Sequence, residues 1–267
     1  MNNAYTTPLG SPLYPKPPYT YNDTHWILIT YESRVEIFEG LLPDLIKPVS
    51  DKDGKIFVAV YVSDFRDTSL GSYKSCGLGL KVSFKGKTGS FFTDCFVTTD
   101  TAIAAGREIW GVAKKLADIN LTFNGDTGIG TVKRDEVELL KITFVKESIG
   151  NENDLPNLFP SYNYKLIPGS IDSKPIVKQL LSFKTDNGKI KQLWRGNSTL
   201  KFEHHVTSNM FKLQPIKILD SFYMVMDYTQ TYSKIAHDFL KYRVIRNLNI
   251  NIFNYILQLI FIRIYNN

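Results

Sequence analysis

The chain has 267 residues, 43% of them hydrophobic and 22% charged, with 17 Gly and 12 Pro; this suits one large domain or two small ones and excludes a collagenous or broadly disordered polymer. The formal net charge is +6, but three of the positive charges, Arg243, Arg246 and Arg263, follow Lys241 in a stretch without an acid. No Lys/Arg stripe with interleaved aromatics occurs elsewhere, so nucleic acid is not an expected partner.

Residues 1–20 carry Pro8, Pro12, Pro15, Pro17 and Pro18, a density that excludes helix and predicts an extended N-terminal arm over the surface. The first residues have neither a charged nor an apolar leader region, so no secretory signal is expected. Trp26–Tyr31 reads as the first strand, with Trp26 as a core or anchor residue. Glu32–Leu42 has apolar residues at helical spacing and is expected to form a helix stopped by Pro43. Ile56–Val62 is a continuous apolar run of strand length, and Leu80–Phe84 and Phe91–Val97 read as a hairpin joined through Lys85–Gly89. Thr101–Trp110 is the best helix candidate, with Asp100 as N-cap and Gly111 as stop. Val137–Phe144 reads as a further strand, Asn151–Pro160 as a connecting seam, and Ser233–Lys241 as a closing helix. The 21–241 segment is thus the domain, and 242–267 a weakly constrained tail. That tail holds seven Ile and six Asn, with Asn254, Gln258 and Arg263 interrupting its apolar stretch, which argues against a membrane span. An amphipathic surface or partner-binding helix there stays open.

Few elements carry chemistry. Cys76 and Cys95 match no zinc or redox spacing and read as buried small hydrophobes in a reduced, cytoplasmic setting. The run Gly86-Lys-Thr88 has Lys81 where a phosphate-binding loop needs its first glycine, so a hairpin turn is the better reading. His25, His204, His205 and His237 are too scattered for a metal site, and no Gly-x-Ser-x-Gly element exists. The exception is Ala104-Ala-Gly-Arg-Glu-Ile-Trp-Gly-Val-Ala-Lys-Lys-Leu-Ala117. Paired lysines are usually solvated, but here Ile109, Trp110, Val112 and Ala113 precede the pair, and Leu116 and Ala117 follow it. A lysine so flanked faces desolvation, which disfavours the ammonium and lowers its pKa. Only a neutral amine attacks a carbonyl, and the iminium it forms is an electron sink beside the bond to be broken.

This segment resembles the signature of the acetoacetate decarboxylase family, Gly-Arg-Glu followed about six residues later by paired lysines. Thr7–Tyr19, Asp67-Thr-Ser69, Val82-Ser-Phe-Lys-Gly86, Tyr164-Lys-Leu-Ile-Pro168 and Leu193-Trp-Arg-Gly196 resemble further family motifs in the same order, from about Thr7 to Lys241. The resemblance implies a mainly β (α+β) fold, an antiparallel β-barrel or cone with a few short helices around an apolar pocket, assembled as a homo-oligomer without cofactor or metal. It implies that Lys114 forms a Schiff base with a small-molecule keto acid and that Lys115 helps depress the pKa of Lys114. On a strand, however, adjacent side chains point opposite ways, so burial of Lys114 can matter as much as its neighbour's charge. Tyr61, Tyr73, Arg107, Glu108 and Trp194 are the candidate pocket residues.

The sequence also departs from the family pattern. Thr24 stands where family decarboxylases carry an arginine, and Tyr61 where they carry a pocket glutamate. Lys74 or Ser75 replaces a second glutamate, and Val112-Ala113 replaces the aromatic-proline pair before the lysines. β-Keto acid decarboxylation is the expected reaction. Another Schiff-base lyase reaction, aldol or dehydration, and a non-catalytic binding protein are the alternatives.

Overall fold

The computed structural model describes residues 5–34 and 40–241. Its frame is a 14-stranded, almost wholly antiparallel sheet. The strands are β1 (Tyr19–Arg34), β2 (Ile46–Pro48), β3 (Lys55–Thr68), β4 (Tyr73–Phe84), β5 (Lys87–Val97), β6 (Lys114–Leu116) and β7 (Asp118–Asn124). They continue with β8 (Thr127–Arg134), β9 (Val137–Ile149), β10 (Ser161–Pro168), β11 (Pro175–Phe183), β12 (Thr185–Phe202), β13 (Lys217–Gln230) and β14 (Lys234–Asp238). The helix α1 (Asp100–Trp110) links β5 to β6. The hydrogen-bonded order is β14-β11-β10-β5-β4-β3-β1-β13-β12-β9-β8-β7, with β2 on β4 and β6 on β5.

The mainly β architecture agrees with the expectation, but the ladder is an open path rather than a closed barrel. β7 and β14, at its two ends, do not pair with each other. β7 instead lies against β3 and β4, and β8 packs so tightly over the same face that a Cβ on Gly130 would come within 3.1 Å of Val62. Facing layers of one curled sheet bury the main core, which includes Ile27, Ile29, Val58, Val60, Val62, Leu78, Ile142, Phe144 and Val225.

The apolar run of β3 has a simple cause: both faces of this strand are covered. Ile56, Val58, Val60 and Val62 enter the main core, while Phe57, Ala59 and Tyr61 pack in a second cluster with Leu28, Leu193 and Met224. β13 divides in the same way, Tyr223 and Val225 to one side, Met224 and Met226 to the other. Alternation along extended chains therefore builds two apolar compartments from one set of strands.

Several local expectations need correction. Glu32–Arg34 continues β1, paired to Lys55–Phe57, so the helix expected from Glu32 does not begin there; its middle, 35–39, lies outside the described residues. Ser233–Lys241 is not a closing helix over most of its length: Lys234–Asp238 is β14, with backbone partners in Gln179–Ser182 of β11, and only 239–241 are helical. The helix at Thr101 is correct, but its N-cap is Thr99, whose hydroxyl accepts from Ala102 N at 3.4 Å. Asp100 forms the first turn, where a carboxylate suits the positive helix end. Gly111, at φ 64°, closes it in the left-handed conformation that glycine adopts at least cost. The Lys85–Gly86 turn makes the expected hairpin, with φ of 48° and 77°. Residues 242–267 lie outside the described residues.

Candidate active site

On the face of the sheet turned away from the main core lies a cavity of ≈ 280 Å³. β1, β3, β4, β5, β10 and β13 contribute walls, and the connection 151–160 contributes Leu155, Pro156, Leu158 and Phe159. Strand parity decides which side chains enter. On β13 these are Met224, Met226, Tyr228 and Gln230; on β10, Ser161 and Asn163. On β1 the parity changes. Tyr21 and Trp26, five residues apart, both reach the cavity because the pairing with β13 shifts between Tyr21 and Thr24. A bulge there, with Asp23 at φ 49°, turns the strand by one residue.

Lys114 is placed by three elements. α1 ends at Gly111, the chain turns back as β6, and β6 pairs parallel to β5 with Lys114 opposite Cys95. The side chain then crosses α1 at Gly106. A Cβ on Gly106 would stand 2.5 Å from Lys114 Cδ, 2.8 Å from Cε and 3.1 Å from Nζ. The glycine of Gly-Arg-Glu is thus the groove in which the lysine lies. Nζ sits 5.4 Å from the centre of the Tyr73 ring. Enclosure by protein lowers the Lys114 pKa from the ordinary lysine value, with the Cys95 thiol acting in the opposite sense.

Around the amine the polar groups are neutral. Tyr61 OH lies 3.3 Å from Ser75 Oγ and 3.9 Å from Cys95 Sγ, and Tyr21 OH lies 3.1 Å from Tyr73 OH. Burial pushes Tyr61 and Tyr73 well above the usual phenol range and Tyr21 to about 12, so all three keep their protons at neutral pH. Tyr61 is seated on a glycine too: a Cβ on Gly77 would lie 2.6 Å from its ring. Among the described residues lining the cavity, Lys114 is the only one with a charged side-chain type, and no carboxylate or guanidinium accompanies it.

Lys115 points the other way. Its Nζ is 3.1 Å from Asp94 Oδ1 and 2.5 Å from the Thr207 carbonyl oxygen. Asp94, fully buried, also accepts from Asn209 N at 3.3 Å. Asp94-Cys95 and Lys114-Lys115 are therefore matched pairs on adjacent strands: thiol and amine face the cavity, carboxylate and ammonium face away.

Of the candidate pocket residues, the structure brings Tyr61 and Tyr73 together with Lys114. Arg107, Glu108 and Trp194 do not line the cavity. Arg107 is exposed and donates to the Lys114 carbonyl oxygen at 3.3 Å. Glu108 accepts from Tyr14 OH, tying the N-terminal arm to α1, and Trp194 packs against the main core with Lys146 over its ring. Helical geometry explains the first two, since Gly106 faces inward and the next two positions turn outward. Thr24, at the position of the family arginine, is buried and donates to the Met226 carbonyl oxygen at 2.6 Å. Cys95, read from sequence as a plain buried hydrophobe, is buried but borders the Lys114 amine, and Tyr21, Gly106, Ser161 and Asn163 join the site unforeseen. Only Gly106 left a trace in sequence, as part of the motif itself.

A buried amine of lowered pKa thus opens onto an apolar cavity carried by a large curled β-sheet. The sequence model of the acetoacetate decarboxylase family matches residues 4–240, and the chain belongs to that family. It is 27% identical over 243 residues to acetoacetate decarboxylase 3 of Mesorhizobium japonicum, covering 90% of this chain and 93% of that one. The crystal structure of acetoacetate decarboxylase from Legionella pneumophila superposes with a TM-score of 0.80 at 26% identity, over 90% of this chain and 96% of that one. The enduracididine biosynthesis enzyme MppR shares the fold, with a TM-score of 0.74 at 13% identity over 88% and 95% of the two chains. Family membership supports lyase chemistry of the acetoacetate decarboxylase kind. Among the described residues, no helix is long and apolar enough to cross a membrane.

Proposed function

We propose that the protein decarboxylates β-keto acids through a Schiff base on Lys114. One observation carries this reading: an amine whose pKa is lowered by burial opens onto a cavity with no competing carboxylate among the described residues that line it. An unperturbed lysine is neutral in only about one molecule per few thousand at pH 7, so each unit of lowering raises the nucleophilic fraction about tenfold.

The reaction runs in four steps. Neutral Nζ adds to the ketone carbon, and water leaves to give the iminium. The electrons of the bond to the carboxylate move toward the iminium nitrogen, and carbon dioxide departs. The resulting enamine takes a proton at carbon, and water then releases the ketone and restores the amine. Tyr61, held in its protonated form, donates a hydrogen bond to the departing carbinolamine oxygen in this scheme. Lys115 acts by anchoring: its ion pair with Asp94 fixes β6 in the register that turns Lys114 inward. Burial then does what the resemblance assigns to the neighbouring charge.

Borohydride reduction in the presence of acetoacetate, followed by peptide mass mapping, is expected to place the adduct on Lys114, with carbon dioxide released in the unreduced reaction. Lys114→Ala should lose both signals. Adduct or gas surviving in that variant would remove Lys114 from its role; adduct without gas would point to aldol or dehydration chemistry.

A further inference from the structure

Ser161 and Asn163 occupy alternate positions on β10, and both face the cavity. Tyr162 between them turns to the main core and meets the Phe84 ring at 5.7 Å. The segment is firmly held. Ser161 pairs with Ser90 of β5, and Ser90 Oγ donates to the Leu158 carbonyl oxygen at 2.6 Å. Ser161 is 2% and Asn163 3% exposed, yet neither Ser161 Oγ nor Asn163 Nδ2 has a hydrogen-bond partner. Among the described residues lining the cavity, these two alone carry a buried side-chain polar atom left unpaired. The phenols at the Lys114 end are paired with one another or with Ser75.

An unpaired buried donor is costly, and a neighbouring unpaired pair on one cavity face marks where a polar ligand completes the bonding. The substrate class assigned to Lys114 brings such a group, a carboxylate, into a cavity whose described lining residues include no guanidinium to meet it. We propose that Ser161 and Asn163 are the carboxylate-binding pair: the hydroxyl and the amide N–H donate to the substrate carboxylate while its ketone carbon meets Lys114. The proposal rests on the Schiff-base reading of Lys114. Neutral donors also suit the reaction. The carboxylate loses its charge as carbon dioxide forms, and a guanidinium would stabilise the ground state more than the transition state.

The test compares acetoacetate with butanone, which has the same carbon skeleton with a methyl in place of the carboxylate. KM for acetoacetate and the butanone concentration giving half-maximal borohydride trapping are measured on the full chain, on Ser161→Ala and on Asn163→Leu. Each substitution is expected to raise KM for acetoacetate about tenfold or more, the loss of one hydrogen bond to a charged group. Butanone trapping should stay within about twofold, which also shows that the pocket remains folded. A parallel loss for both compounds, or no change in either, overturns the proposal. Failure of the unsubstituted protein to trap either compound overturns the Lys114 reading instead, and is recognisable because it precedes any substitution.

Discussion

Lys114 is useful to the site and costly to the fold, and the two effects have one cause. Removing an ammonium from water disfavours its charged form, so burial lowers the pKa below the 10.5 of a free lysine side chain. Between the folded value and 10.5 the unfolded chain binds more protons than the folded one, and stability rises with pH across that window. Lys114→Met, similar in length and never charged, is expected to raise the melting temperature at pH 7. The gain should shrink as pH rises through 10.5, above which the amine is neutral in both the folded and the unfolded chain. A gain unchanged over that range would show that burial does not set the amine's titration. Desolvation of Lys114 was legible from its flanks, Trp110, Val112 and Leu116, because the causes are adjacent in sequence. Cys95 was not, since its place opposite Lys114 depends on pairing between β5 and β6.

At the level of elements, α1 and β6 form one device. The helix supplies a gap at Gly106, its left-handed cap at Gly111 reverses the chain, and β6 returns the lysine across the gap. Gly106→Ala separates the functional reason for the glycine from the structural one. Alanine favours an interior helical position over glycine by about 1 kcal/mol, so the fold should persist with an unchanged or higher melting temperature. The new Cβ would nonetheless displace Lys114 Cδ and Cε, and misplacement by about 1 Å is expected to lower kcat/KM on the order of a hundredfold. Loss of activity only in step with unfolding would deny Gly106 its role as a groove. Element reading from sequence worked where signals are local, as for α1 and the β4–β5 hairpin. It failed for Ser233–Lys241 because a short segment of helical composition takes a strand when the edge of β11 offers it backbone partners.

For the whole molecule, the proposed function makes the cavity the limit on substrate size. A cavity of about 150 Å³ accommodates benzene, so ≈ 280 Å³ exceeds what a four-carbon keto acid fills. The excess is bounded by Leu155, Leu158, Ile190, Met224 and Met226, all apolar and part of or packed against one side cluster. Each methylene buried there contributes about 0.8 kcal/mol. On the proposed reaction, kcat/KM for 3-oxohexanoate should therefore exceed that for acetoacetate by about tenfold, and a steady fall with chain length would show that the extra volume is closed to substrate. The sequence by itself determined the mainly β composition, the helix before the lysines and the amine whose flanks strip its water, because each follows from residues near one another in the chain. Only the tertiary structure decided what surrounds that amine: the open path of the sheet, the outward turn of Lys115 to Asp94, and the neutral lining with its unpaired Ser161 and Asn163. The wall is assembled from strands far apart in sequence. A single bulge at Asp23 changes which side chains enter, and no local pattern reports on pairings of that range.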